Sequence, residues 1–435
     1  MALQQKVGTF TLNSDGTSTT VTGLGFTPTV VFLLQAVPGT TSLDALTAGA
    51  AMSFGASDGT NNACFSYRDD NGGDTSESAR LLSTSYAAAA LSAASGTTGD
   101  ALNWGVSLGS FASGEFVATP SGTFGSDQSI FYVALGGVTA EVGTDTTKTT
   151  TTGTKTTTLT NSSLEADALF FGAVASGNTS TSILTHALAM LGFAAGTGST
   201  DQGSVALVTY DNLDFPRSAR RMESGKAIVF ASHDFTDPQD ESPDAAVSAI
   251  AAGEFTLNYS AVEPTATTFF YVALDGVDAE FFTHTQATTN TTNSASLSTL
   301  TPELVFLSSF SAPISLSPNS HARMAIGVSD GTNDRGIGVA SQDNADTQAA
   351  QRVATDDYAL WLLSYTSTDQ GRAAIGFDAV NDEVDFTWDQ TDGVARTIFG
   401  LAFGDSTAQA VPTLSAATAT SIGQTTATVG CTVTF

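Results

Sequence analysis

Along most of the chain, apolar residues alternate with Thr, Ser and Gly in short runs, and Gly, Asn and Asp punctuate them. Period-two alternation broken by turn formers is the signature of strands and hairpins. In the first third it predicts strands at Val7–Leu12, Thr19–Leu24, Thr29–Gln35, Ala51–Gly55, Ala63–Arg68, Ala88–Leu91, Asn103–Ser107, Glu115–Ala118 and Ile130–Leu135. Ser57-Asp-Gly-Thr-Asn61 reads as a hairpin loop, because Asp-Gly supplies the positive φ of a tight turn. The apolar stretch Ala87–Ala94 fits either a short helix or a buried strand.

The pattern recurs. Phe131-Tyr-Val-Ala-Leu-Gly-Gly137 returns as Phe270-Tyr-Val-Ala-Leu-Asp-Gly276 and, more loosely, as Phe399-Gly-Leu-Ala-Phe-Gly-Asp405. Pro28-Thr-Val-Val-Phe-Leu33 matches Ala166-Asp-Ala-Leu-Phe-Phe171 and Pro302-Glu-Leu-Val-Phe-Leu307, which puts Phe32, Phe170 and Phe306 in register. Ser57–Asn61 is identical to Ser329–Asn333. An Asp-Asn pair occurs in each copy (Asp70-Asn71, Asp211-Asn212, Asp343-Asn344), followed by an arginine: Arg80, Arg220 and Arg352. Four sets of landmarks in one register define three homologous modules, residues 1–140, 141–280 and 281–405. About eight or nine short strands per module point to an all-β fold of three tandem antiparallel β-sandwiches, jelly-roll or Greek-key in type. The Thr-rich stretches Gly143–Ser163 and Thr283–Thr299 read as polar edge strands opening the second and third modules. Residues 406–435 form a linker followed by two alternating strands, Val411–Ile422 and Thr425–Phe435, too few to fold alone. They are expected to dock on a neighbour or to begin a further domain.

Charge narrows the function. The 435 residues carry 14 Lys+Arg against 43 Asp+Glu, a net charge of −29, and Arg220-Arg221 is the only adjacent basic pair. Backbone neutralisation of nucleic acid and attachment to anionic lipid both need clustered cations, so neither partner is expected. Only 13% of residues are charged, against roughly 25% in ordinary domains. The surface is therefore built from uncharged polar groups. With 41% hydrophobic residues and 27 Phe there is ample material for cores. No apolar run approaches the length of a membrane helix, no secretory leader is visible, and Cys64 and Cys431 suggest no disulfide framework.

Candidate chemistry is sparse. Gly105-Val-Ser-Leu-Gly109 satisfies the nucleophile-elbow pattern, but the elbow must join a strand to a helix, and strand follows here. His186, His233, His284 and His321 are never at metal spacing, and there is no phosphate-binding Gly-Lys-Ser/Thr loop. Asp69–Asp74 and Asp237–Asp244 offer hard oxygen ligands for Ca²⁺, without a complete loop motif, and solvated turns are the favoured reading. Asp385, Asp389 and Asp392 offer paired carboxylates but nothing singles them out. The expectation is a protein with no catalytic residues and no cofactor. The recurring Asp-Asn…Arg set is the remaining candidate, either bracing a long connection or contacting a neighbouring subunit or a sugar through the planar guanidinium.

Val7-Gly-Thr-Phe-Thr-Leu12, Gly23-Leu-Gly-Phe-Thr-Pro-Thr-Val-Val-Phe32 and the closing Phe131–Gly137 together resemble β-sandwich modules in exterior structural proteins of tailed bacteriophages. Pro412-Thr-Leu414 and Thr426-Ala-Thr-Val429 are similar to the first strands of fibronectin type III or immunoglobulin-like domains. The resemblance implies a non-enzymatic virion protein, assembled in the host cytoplasm, that decorates a capsid, forms a vertex spike or joins a tail. Its expected partners are other virion proteins, further copies of itself and a host-surface glycan. The opening strand pair with Pro28-Thr-Val-Val31 also resembles H-type lectins, so carbohydrate binding is the second expectation and a polysaccharide depolymerase the third. Three modules leave open whether one chain mimics a trimer or several chains assemble about an axis.

Overall fold

The computed structural model describes residues 3–36, 43–69, 78–92, 101–174, 183–209, 218–231, 243–298, 300–310, 315–342, 349–364, 369–406, 413–420 and 428–434. Among these the structure is all-β, with no helical residue and with every strand pairing antiparallel. The first repeat contributes β1 (Gln4–Leu12), β2 (Thr19–Thr22), β3 (Val30–Ala36), β4 (Thr47–Ala48), β5 (Ala50–Ser57), β6 (Asn62–Asp69), β7 (Ser78–Ser83), β8 (Ala88–Ser92), β9 (Ala101–Leu108), β10 (Glu115–Pro120) and β11 (Gln128–Gly136). All nine expected strands are present, and within the apolar stretch β8 runs over Ala88–Ser92, with Ala88, Ala89, Ala90 and Leu91 buried. β4 and β7 were not anticipated.

The second repeat contributes β12 (Thr139–Thr146), β13 (Gly153–Thr158), β14 (Ala168–Ala173), β15 (Leu184–Thr185), β16 (Ala187–Ala194), β17 (Gln202–Thr209), β18 (Ser218–Ser224), β19 (Asp244–Ala251), β20 (Glu254–Ala261) and β21 (Thr268–Asp275). The third contributes β22 (Asp278–Thr285), β23 (Thr292–Ser296), β24 (Leu300–Ser309), β25 (Ser315–Ser320), β26 (Ala322–Ser329), β27 (Asp334–Ser341), β28 (Ala350–Thr355), β29 (Leu360–Leu363), β30 (Asp369–Asp378), β31 (Glu383–Thr391) and β32 (Thr397–Ser406). Both Thr-rich stretches carry strands, as expected: the end of β12 and all of β13 in the first, the end of β22 and all of β23 in the second. Among the described residues the C-terminal β33 (Thr413–Thr420) and β34 (Thr428–Thr434) pair only with each other.

Three seven-stranded sheets share one order: β1-β11-β3-β5-β6-β7-β15, then β12-β21-β14-β16-β17-β18-β25, then β22-β32-β24-β26-β27-β28-β4. The last strand of each sheet is borrowed. β15 comes from the second repeat to the first, β25 from the third to the second, and β4 from the first to the third, which closes the cycle. Three smaller sheets, β2-β10-β9-β8, β13-β20-β19 and β23-β31-β30-β29, each lie against one large sheet.

This arrangement explains why the central strands read as unbroken apolar runs. In β3, Val30, Phe32 and Leu34 enter a core shared by all three repeats, while Val31 and Leu33 enter the core under the small sheet. β14 divides in the same way between Phe170 and the pair Leu169 and Phe171, and β24 between Phe306 and the pair Val305 and Leu307. A sheet covered on both faces needs apolar side chains at every position. At the centre Phe32, Phe170 and Phe306 meet, with ring centroids 4.7, 5.0 and 4.9 Å apart. The landmark phenylalanines of the sequence are thus the hub of a pseudo-threefold body.

Small-sheet backbone crosses each large sheet closely, and glycine permits it. A Cβ on Gly327 would stand 1.5 Å from the Ala359 carbonyl, and one on Gly192 would stand 1.8 Å from that of Ala227. The Ser57–Asn61 hairpin forms as expected between β5 and β6. Gly59 has φ 82°, and Asp58 Oδ1 accepts the N–H groups of Thr60 (2.9 Å) and Asn61 (2.7 Å).

Candidate functional site: the junctions between repeats

The repeated arginines sit on strands, at the seams where one repeat lends a strand to the next. Arg80 lies on β7 opposite Leu184 of β15, Arg220 on β18 opposite Asn319 of β25, and Arg352 on β28 opposite Thr47 of β4. Each reaches across to a main-chain carbonyl just past the borrowed strand. Arg80 Nη1 donates to His186 O (2.9 Å), Arg220 Nη1 to His321 O (2.6 Å), and Arg352 Nη1 to Gly49 O (2.7 Å) and Ala48 O.

The accepting residues share an uncommon backbone: His186 has φ 62°, His321 φ 67° and Gly49 φ 80°. A left-handed residue kinks the chain between the borrowed strand and β16, β26 or β5. Arginine then satisfies a carbonyl that the kink removes from the ladder. Gly49, His186 and His321 are a further repeated landmark, each directly before a strand beginning with Ala. Sequence reasoning missed it because a glycine and two histidines look unrelated until their φ angles are known.

Burial makes these seams electrostatically tight. Desolvation, with Arg323 and Arg396 adding repulsion, pulls the Arg220 guanidinium down to about 9. The half-buried His321 imidazole falls to about 4, through desolvation first and then through Arg323 and Arg220. Nearer the axis, Ser78 Oγ donates to Thr209 O (3.0 Å) and Ser218 Oγ to Ser341 O (3.3 Å). Ser341 Oγ donates to Asp69 Oδ2, and Tyr67 and Thr209 share a hydroxyl bond of 2.8 Å. Every repeat is therefore stitched to the next by a strand ladder and by side chains.

The pairs Asp70-Asn71, Asp211-Asn212 and Asp343-Asn344 lie outside the described residues. Of the acidic stretches weighed for Ca²⁺, Asp69 is buried in the axial network. Asp244 is buried against Arg221 (3.5 Å) and Lys226 (3.2 Å). Residues 70–74 and 237–242 are outside the description. A different acidic group, Asp44, Asp356 and Asp357, brings one carboxylate oxygen from each within 4.8 Å where the first repeat reaches the third. Burial, opposed by a Thr355 hydrogen bond, and the two neighbouring carboxylates raise the Asp44 carboxyl. These oxygens suit a hard cation.

The carboxylates of the third repeat are already partnered. Asp385 accepts Ser294 Oγ (2.5 Å), Asp389 pairs with Arg372 (2.6 Å), and Asp392 pairs with Arg396 (2.6 Å). Gly105-Val-Ser-Leu-Gly109 runs along and just past β9, so it makes no strand-to-helix elbow. His284 is buried and stacked on Phe386, with centroids 4.1 Å apart. An open groove of about 490 Å³ runs between the first and second repeats. Asp58, Thr60, Ser110, Phe111 and Thr139 help to line it, and Asp58 Oδ2 accepts Val142 N (3.0 Å) across the seam.

No family model matches this chain, and neither a curated protein nor a solved structure matches it. The functional reading therefore rests on the residues themselves.

Proposed function

We propose that the chain is a non-enzymatic structural protein of a tailed-bacteriophage particle, carried on the exterior as a capsid decoration, a vertex spike or a tail-associated protein, and acting through protein–protein contacts. We read residues 1–140, 141–280 and 281–405 as tandem sandwiches of jelly-roll or Greek-key type. Residues 406–435 are read as the first strands of a fibronectin- or immunoglobulin-like domain or a docking segment. The observation that carries this reading is the cyclic strand exchange. It covers one edge of each large sheet and builds a trimer-like body from one chain, with three related outer faces to present. Such a body suits a threefold receiving site on a larger assembly.

The test is to purify phage particles from lysates that encode the chain, identify it by mass spectrometry and image the particles by cryo-electron microscopy. The reading expects exterior density with a pseudo-threefold core. Absence of the chain from particles purified to constant infectivity refutes it. Carbohydrate binding is the second reading, and the groove between the first two repeats favours it. Hydroxyl and carboxylate groups of Thr60, Ser110 and Asp58 stand there beside the ring of Phe111. Binding on a glycan array without association with particles would select it.

A further inference from the structure

The three repeats offer an internal comparison at the first residue of β6, β17 and β27, which are Asn62, Gln202 and Asp334. Each of these side chains ties the large sheet to the small one. Asn62 Nδ2 donates to Leu108 O (3.2 Å) and its Oδ1 accepts Leu108 N (2.9 Å). Gln202 does the same at Val247, donating to its O (3.1 Å) and accepting its N (2.7 Å). An amide reads the N–H and C=O of one strand residue together, because both point the same way.

In the third repeat Asp334 Oδ2 accepts Ile375 N (3.0 Å), the same first half of the pair. Oδ1 is buried with no hydrogen-bond partner, whereas the second atom of Asn62 and Gln202 is an NH₂ that donates to the strand carbonyl. Ile375 lies on β30 as Val247 does on β19, so its carbonyl faces the same way as the N–H that Asp334 already holds. A carboxylate only accepts, and two acceptors face to face repel. A protonated carboxyl carries the missing donor and completes the amide pattern.

We propose that Asp334 is a proton-operated latch between the two sheets of the third repeat, closed by donation from its protonated carboxyl to the Ile375 carbonyl and slackened when the carboxyl ionises. The surroundings favour the proton. Asp334 is 7% exposed, and desolvation is the leading cause that lifts its carboxyl to about 6. Asp330 on the preceding hairpin pushes the same way, while a Ser329 hydrogen bond, the Ile375 N–H and Arg335 oppose it. Arg335 is engaged elsewhere, with Thr9 Oγ1 of the first repeat (2.8 Å) and the carbonyls of Asp334 and Asp356.

The sign follows from linkage. A carboxyl that holds its proton more tightly in the folded state gives full stabilisation below about pH 4, lost as pH rises through about 6. A displacement of about two pH units corresponds to roughly a hundredfold in the folding equilibrium. The test is chemical denaturation of the full chain between pH 4 and 7 for wild type, Asp334→Asn and Asn62→Asp. Asp334→Asn gains on wild type across this window, because its amide keeps the donor at every pH. Asn62→Asp acquires a new loss above pH 6 that is recovered at pH 4. A flat difference between Asp334→Asn and wild type overturns the proposal. So does an Asn62→Asp penalty equal at both ends, or an Asp334→Asn chain that fails to fold at pH 7.

Discussion

Replacing Phe170 by Ala tests whether the three repeats fold as one body. The ring is fully buried and touches Phe32 (4.7 Å), Phe306 (4.9 Å), Phe193 (5.5 Å) and Phe403 (6.2 Å), drawn from all three repeats. Truncating a buried Phe costs about 3–5 kcal/mol, a total that includes the loss of its ring contacts, and a ring with several aromatic neighbours falls toward the upper end. Three strands converge here and none can collapse into the void without disturbing its own sheet, so about 4–5 kcal/mol is expected. The reporter is built in. The chain has 3 Trp, all buried: Trp104 in the first repeat, and Trp361 and Trp388 in the third. Tryptophan fluorescence is therefore blind to the repeat that carries the mutation. If the shared core couples the repeats, the Trp-monitored urea midpoint falls by about 1 M, taking a slope of several kcal/mol/M for a unit of this size. If circular dichroism shows partial loss at low urea while the Trp transition stays at its wild-type midpoint, the second repeat unfolds alone and the single-core argument is refuted.

The seams give a second prediction. Arg352→Ala leaves the Gly49 and Ala48 carbonyls without their guanidinium partner. It should cost about 2–4 kcal/mol, with Arg352→Lys intermediate, because a charged hydrogen bond is worth about 1.5–3 kcal/mol and lysine lacks the fork. Proteolysis of the segment before β4 should accelerate in step, and unchanged melting with unchanged cleavage counts against the brace. Cys64 is buried on β6, and desolvation pushes its thiol up to about 12. In a Cys431→Ser chain the remaining thiol should therefore react with a disulfide reagent only at the rate of unfolding, and rapid labelling of the native protein would contradict that burial.

Much of the fold was legible because the apolar runs are long and repeat. A strand such as Val30–Ala36 is apolar at every position but Gln35, and its threefold recurrence with Phe32, Phe170 and Phe306 in register marks the hub. The borrowed strands were not legible. Thr47–Ala48 and Leu184–Thr185 are two residues each, shorter than any period can reveal. Ser78–Ser83 was missed too, and with it the reason for the recurring arginine. Arg80 and Arg220 could be read as recurrent, but their acceptors lie 106 and 101 residues away in another repeat. A one-dimensional pattern reports which positions are equivalent; it does not report which repeat each one touches.

Linking three repeats in one chain has a consequence beyond holding them together. Three separate chains would lose translational and rotational freedom on assembly, at an estimated cost of about 4–15 kcal/mol per association, and every copy would carry the same residue at every position. A single chain avoids the first and is released from the second. Arg221 shows that release. It is 2% exposed and paired with Glu223 at 2.5 Å, whereas the residues after Arg80 and Arg352 are the apolar Leu81 and Val353. A buried charge of this kind needs partners supplied locally, and Glu223 and Asp244 supply them in the second repeat alone. Asp334 in place of an amide is the corresponding departure in the third. Departures tolerated singly would be imposed threefold in a homotrimer, where three unlatched carboxylates would add their penalties at neutral pH. The pseudo-symmetry therefore holds where the fold demands it, at the phenylalanine hub and the arginine seams. It is broken where one repeat can carry a feature that three copies could not.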